Sequence, residues 1–314
     1  MSRLLVTGAD GFVGRHLVRA ALAEGRDVVA GIVPGGADPA GWLSAAESPR
    51  VEVIHADLLD EQALARLAQV ECDAVVHLAA IASGGDARRD PELAMRVNGQ
   101  ATAMLLEALG EAGHAPRFLF ISTGEVYGAG HDGPIPESAT LAPVSPYGVS
   151  KSAAESAVLD LGPAGGIDTI IARPFPHTGP GQDTRFVLPA FAARLRQARK
   201  TGERQIAVGN LDVTRDVLDV RDVVQGYLRL LEQGTPGECY NVATGTGQHL
   251  EACFRALAAI IGVDAVPVQD PALMRPADIR TLVGDPAKLN AATGWWPTIA
   301  FSQTLQDLVD AQAD

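Results

Sequence analysis

VTGADGFVG, residues 6–14, sets glycines at 8, 11 and 14 behind the apolar run Leu4-Leu5-Val6 and ahead of the amphipathic stretch Phe12 to Glu24. Taken alone the GxxGxxG spacing is unspecific, because many tight turns use glycine. Its position gives it meaning. Between a buried strand and a helix start, such a turn lets the backbone approach a pyrophosphate, whose charge the first helical N–H groups and the helix dipole offset. The stretch therefore predicts a dinucleotide site formed by Gly8, Gly11, Phe12, Val13 and Gly14.

The chain beyond it alternates short β-branched runs with longer amphipathic ones. Strands are expected at Arg3 to Val6, Asp27 to Val33, Val51 to His55, Ala74 to Leu78, Arg117 to Ser122 and Asp168 to Ala172. Helices are expected at Glu61 to Val70, Pro91 to Ala112 and Tyr147 to Leu161. Strand–helix–strand repetition means parallel strands joined by crossover helices, hence an α/β, Rossmann-type doubly wound sheet. At RPFPHTGPGQ, residues 173–182, the rhythm breaks on Pro and Gly. A basic helix near Ala190 to Lys200, a hydrophobic return at Val217 to Leu231 and a Pro-interrupted tail follow. The expected division is 1–172 with 216–245 for the NAD(P)-binding domain, and 173–215 with 246–314 for a smaller, C-terminal substrate-binding domain.

Composition narrows the classes. Of the 314 residues 47% are hydrophobic and 20% charged, which suits a compact fold and not a disordered chain. A net charge of −13 argues against binding nucleic acid, which takes a surplus of Lys and Arg. Cys72, Cys239 and Cys253 are scattered and odd in number, so neither a disulfide framework nor a zinc site is expected, and no bound metal is expected. The histidines form no paired ligand pattern. No run approaches the roughly 18 apolar residues of a membrane span, and Met1 stands too near the first strand for a signal peptide. A cytoplasmic protein in a reducing compartment is expected.

Further strand ends fit a dinucleotide. Asp57, followed by Leu58, stands after the third strand, where its carboxylate can accept a bond from adenine or merely cap the next helix. His77-Leu78-Ala79-Ala80 closes the fourth strand, and its small residues permit close contact with a flat ligand. His77 itself reads as a core histidine. The second strand ends Ala30-Gly31-Ile32-Val33 without the acid that usually holds the ribose of NAD. With Arg15 near, the reading leans to NADP over NAD.

The fifth strand runs into STGEVYG, residues 122–128, so Thr123 points into the crevice beyond the strand ends. SPYGVSK, residues 145–151, puts Tyr147 and Lys151 one helical turn apart. Together, and in this order, TGADGFVG, STGEVYG and SPYGVSK resemble an extended short-chain dehydrogenase/reductase of the nucleotide-sugar branch, over nearly the whole chain. The resemblance implies that Tyr147 is the acid/base, that Lys151 lowers its pKa and holds the nicotinamide ribose, and that Thr123 bonds the same substrate oxygen. It also places Leu78, Ala79, Ala80 and Pro174 on the cofactor.

VGNLDVTRDVLDVRDVV (208–224), GECYNVATG (237–245) and RPADIRTLVGDPAKLNAATGW (275–295) are similar to the GDP-6-deoxy-4-keto-mannose reductases. Carried over, Arg215 and Arg275 bind the substrate diphosphate, a task suited to bidentate guanidinium contacts, though each also reads as a surface ion pair. Pro176 departs from the pattern by replacing an asparagine that contacts substrate. Glu125 occupies the position of the glutamate that helps eliminate water in sugar 4,6-dehydratases, but Gly124 precedes it where those enzymes usually have Asp or Ser, and the preferred reading is a polar wall of the sugar pocket. The implied reaction is NAD(P)H-dependent reduction of the C4 keto group of a nucleoside-diphosphate 4-keto-6-deoxy sugar. A 4-epimerase or 4,6-dehydratase is the alternative, and a non-catalytic dinucleotide sensor the second. The family also implies a homodimer through the helices at 91–112 and 147–161.

Overall fold

The computed structural model describes residues 3–113, 115–274 and 279–312. Six strands follow the expected places: β1 (Arg3–Thr7), β2 (Asp27–Ile32), β3 (Val51–His55), β4 (Ala74–His77), β5 (Arg117–Ile121) and β6 (Thr169–Pro174). A seventh, β7 (Cys239–Val242), arrives late and pairs with β6. All are parallel, in the order β7-β6-β5-β4-β1-β2-β3. The chain leaves β1 toward β2 on one side and returns to β4 on the other. That reversal opens a crevice beyond the strand ends between β1 and β4.

Both sheet faces are covered, which explains the unbroken apolar runs. Leu4 and Val6 of β1 join Leu17 and Val18 of α1 (Phe12–Ala23) in one layer. Leu5, between them, points to the opposite layer with Leu64 and Leu67 of α2 (Glu61–Ala68) and Leu105 and Leu109 of α3 (Ala101–Glu111). This is the two-residue period of a strand. α4 (Pro146–Ala164) joins the second layer through Ala154 and Val158, and α6 (Val220–Gln233) the first through Val223 and Leu230. A third cluster stands apart. There Leu188 and Phe191 of α5 (Val187–Thr201) meet Phe254 of α7 (Leu250–Ile261) and Leu308 of α8 (Phe301–Ala311).

The expected single helix over 91–112 is interrupted. Pro91–Ala94 is α-helical, Met95–Gln100 is a π-helical segment, and α3 follows. The wider turn has a local use: the buried Asn98 accepts from the Ile81 N–H (2.8 Å) and donates to the Ile81 carbonyl (3.2 Å) and to Ser150 Oγ (2.9 Å). It thereby ties the segment after β4 to the first turns of α4.

Candidate active site

The crevice is a cleft of about 1730 Å³ lined from β1, β2, β5, β6 and the segment after β4 on one side and from α5 and the 209–217 segment on the other. The glycine turn forms one end. Gly8 has φ +69°, and a Cβ there would lie 2.9 Å from the Ala79 backbone. A Cβ on Gly14 would lie 2.2 Å from the Gly8 carbonyl oxygen, so the turn folds against the start of α1 only with glycine there. Gly11 is the N-cap of α1 and has no side chain to occupy the first helical N–H groups, which stay available to an anion. The cradle fits a dinucleotide pyrophosphate.

Asp57, Leu58, Leu78, Ala79 and Ala80 line the same cleft with Gly8, Gly11, Phe12, Val13 and Gly14. Asp57 accepts from the Leu59 N–H at 2.9 Å, but the cap of α2 is Asp60, which accepts from Gln62. His77 is wholly buried, with its ring nitrogens on Thr7 Oγ1 (2.8 Å) and Thr102 Oγ1 (3.0 Å). Thr7 Oγ1 also accepts from the Ala79 N–H (3.2 Å), so this core histidine braces the switch point. Near the end of β2, the Arg15 and Arg19 guanidinium carbons lie 5.6 and 5.4 Å from the centre of the Trp42 ring.

Thr123, Glu125, Tyr147, Lys151 and Pro174 face the middle of the cleft. Thr123 accepts from the Glu125 N–H (3.2 Å), and its hydroxyl also hydrogen-bonds the Tyr147 side chain. Ser145 caps α4 by accepting from the Gly148 N–H (3.0 Å), and Pro146 occupies the first helical position, where a missing N–H costs nothing. Lys151 is buried, donates to the Ile121 carbonyl (2.7 Å) and lies 4.8 Å over the Phe120 ring. Burial lowers its pKa to about 7, with the Glu155 carboxylate pulling partly the other way.

In the protein alone the Tyr147 pKa lies well above the ordinary phenol value. Burial is the main cause and the negative charge of Glu125 the second, while the Thr123 hydroxyl opposes both. A phenol taken out of water holds its proton.

Arg215 lies in the short strand Thr214–Asp216 and lines the far end of the cleft. Arg275 lies outside the described residues. Pro176 lines the cleft, and its carbonyl accepts from the Leu218 N–H (2.9 Å).

The model of the GDP-mannose 4,6 dehydratase family matches residues 5–308 of this chain. The chain belongs to that family. GDP-6-deoxy-D-mannose reductase of Pseudomonas aeruginosa is 39% identical over 315 residues, covering 98% of this chain and 96% of that relative. The solved structure of RMD from Pseudomonas aeruginosa complexed with NADPH matches with a TM-score of 0.83 at 38% identity, over 99% of this chain and 98% of that one. UDP-glucose 4-epimerase of Mycolicibacterium smegmatis is 31% identical over 98% of this chain and 97% of its own. The chain is thus an NAD(P)-dependent enzyme of the extended short-chain dehydrogenase/reductase group, as the three motifs implied.

In this member of the GDP-mannose 4,6-dehydratase family, several residues that support the cleft escaped the motif reading. Glu155, one turn beyond Lys151, forms a buried ion pair with Arg173 (2.6 Å) and accepts from Ser122 Oγ. Arg173 also donates to the Tyr127 hydroxyl (3.0 Å), which in turn donates to Asn241 Oδ1 (2.7 Å). Asp216, wholly buried beside Arg215, accepts from the N–H groups of Thr244 (3.0 Å) and Gly245 (2.9 Å) and from Thr244 Oγ1 (2.6 Å). For Arg173 the local hint was a charged residue in the otherwise apolar run Ile170-Ile171-Ala172.

Proposed function

We propose that the protein reduces the C4 keto group of a nucleoside-diphosphate 4-keto-6-deoxy sugar, with GDP-6-deoxy-4-keto-mannose as the substrate and NADPH preferred over NADH. The observation that carries this reading is the convergence of Thr123, just after β5, with Tyr147 and Lys151 from α4 on the cleft that the glycine turn opens. The match to the reductase of Pseudomonas aeruginosa supports the choice of substrate.

A reduced nicotinamide dinucleotide bound in the cleft supplies the hydride. Thr123, paired with Tyr147 in the protein alone, turns its hydroxyl to the keto oxygen and orients it. Tyr147, kept protonated by burial and Glu125, delivers its proton to the alkoxide that forms, which is a stronger base than a phenolate. Lys151, anchored on the Ile121 carbonyl, offers its other N–H bonds to ribose hydroxyls. Arg215, with Arg275, holds the substrate diphosphate, and Arg15 favours the 2′-phosphate of NADPH. Pro176 removes one side-chain contact to substrate that an asparagine makes in the reductases it resembles. Glu125 faces the sugar and tunes the phenol.

Residues 1–172 with 216–245 carry the cofactor in this reading, and 173–215 with 246–314 the substrate. The helical segments over 91–112 and 147–161 serve a homodimer, and on the second of them Val149 and Leu159 are 43% and 39% exposed. Among the described residues no helix is long and apolar enough to cross a membrane. With its cysteines unpaired, the protein is assigned to the cytoplasm.

The deciding experiment incubates purified protein with GDP-6-deoxy-4-keto-mannose and follows absorbance at the reduced nicotinamide band. One equivalent of NADPH consumed per sugar is expected. Turnover of a nucleotide sugar with no net consumption supports the epimerase or dehydratase alternative instead.

A further inference from the structure

Two buried hydroxyls, Thr169 Oγ1 and Tyr227 Oη, have no hydrogen-bond partner among the described residues. Thr169 opens β6, at the end of the sheet away from the cleft. Tyr227 is different: its side chain is wholly buried, yet it lines the cleft with Thr123, Tyr147 and Pro174. Native cores seldom keep a buried hydroxyl unanswered, so each such case asks what completes it.

The fold aims this phenol at the cleft. α6 begins at Val220, immediately after Leu218–Asp219, which pairs with His177–Thr178 just beyond the C-terminal end of β6. The first turn of α6 is therefore at the cleft rim, and the helix runs down toward β7, antiparallel to the strands. Tyr227 is about two turns down, roughly 10 Å along the axis. Helical side chains lean toward the helix N-terminus, so its ring climbs back toward the cleft floor. The ring packs in the apolar layer with Val6, Ile121 and Phe175, beneath the ends of β1, β5 and β6. Burial raises its pKa well above the phenol value, and the nearby Tyr147 adds to the shift. Tyr227 is thus a neutral donor at working pH and no rival to Tyr147 as acid/base.

We propose that the Tyr227 hydroxyl is a cofactor contact, donating a hydrogen bond to the nicotinamide end of the bound dinucleotide from the cleft floor and so fixing the ring beneath Tyr147. The proposal rests on the reading of the cleft as a dinucleotide site. A hydroxyl kept for a ligand adds nothing to the protein alone, and losing it costs only ligand affinity. A hydroxyl serving the fold behaves in the opposite way.

The test is Tyr227→Phe, which keeps the ring and removes one oxygen. For the protein alone, the thermal midpoint is expected to stay level or rise. NADPH affinity, from titration of reduced-nicotinamide fluorescence, is expected to weaken about threefold to tenfold, the worth of one hydrogen bond. Affinity for 2′-phospho-ADP-ribose, which lacks the nicotinamide, is expected not to change. Equal NADPH affinity in the two proteins, an equal loss for the nicotinamide-free fragment, or a lowered midpoint without ligand each overturns the proposal. These are binding measurements, so a failure to reduce the keto sugar leaves them intact. An unchanged NADPH affinity in Tyr227→Phe leaves the reductase reading intact in turn.

Discussion

Ser145 donates its hydroxyl proton to the Glu125 carboxylate at 2.8 Å, joining the turn after β5 to the first turn of α4. The same oxygen accepts from the Gly148 N–H, so one side chain both starts the helix carrying Tyr147 and holds the acid that tunes it. Ser145→Ala is expected to cost about 1 kcal/mol as a lost helix cap. Glu125→Gln removes a negative charge that holds the Tyr147 proton on, so the phenol pKa falls. The alkaline limb of the kcat/KM profile should move to lower pH with much activity retained. Abolished activity at every pH would instead mark Glu125 as a base in an elimination.

Tyr147→Phe deletes the proton donor and leaves the cradle at the glycine turn untouched. Turnover is expected to fall by roughly 10²–10⁴ while NADPH affinity changes less than about threefold. Steady-state rates and a fluorescence titration check the two halves. A variant as active as the parent would remove Tyr147 from the chemistry.

Glu155 and Arg173 are both buried, with side chains 2% and 6% exposed. Glu155→Gln leaves Arg173 without its counter-charge and is expected to destabilise the fold by about 3–5 kcal/mol in urea unfolding. Replacing both by Met should recover a good part of that loss, because two desolvated charges disappear together. If the single and double variants were equally unstable, the ion pair would be worth more than its desolvation.

Gly14→Ala places a Cβ against backbone atoms of Gly8 and Ala9, which cannot rotate away. Stability should fall by the roughly 1–3 kcal/mol of an overpacked site, and dinucleotide binding with it. Gly11→Ala meets only the Gly8 carbonyl oxygen at 3.2 Å and should be milder. Thermal melts with and without NADPH rank the two, and the reverse ranking would be inconsistent with this turn.

Burial, helped by the charge of Lys151, lowers the pKa of His77 to about 3. The unfolded imidazole titrates near 6.5, so between these values the unfolded chain binds the extra proton. Stability from this group is intact above pH about 6.5 and is lost as the pH falls, by about 1.4 kcal/mol at pH 5.5. His77→Gln should flatten that slope in urea melts at pH 7.5 and 5.5. An unchanged slope would mean that other groups dominate acid unfolding.

Local patterning was enough for the alternating strands and helices, the glycine turn and the four-residue step from Tyr147 to Lys151. Each rests on sterics or helical period acting over a handful of residues, and a linear chain displays such rules directly. The π segment at Met95–Gln100 escaped, because it exists to bring Asn98 to Ile81 and Ser150, 17 and 52 positions away. Tyr127 meets Asn241 across 114 positions, and Glu155 finds Arg173 on β6. Tyr227 reads as one more apolar-face residue of an amphipathic helix until the fold turns its hydroxyl toward the cleft. Protonation follows the same division. The four-residue step from Tyr147 to Lys151 is local, but the partial burial of the phenol and the Glu125 carboxylate beside it, which raise its pKa in the protein alone, come from the fold. Desolvation depends on everything packed around a group, so no stretch of neighbours along the chain encodes it.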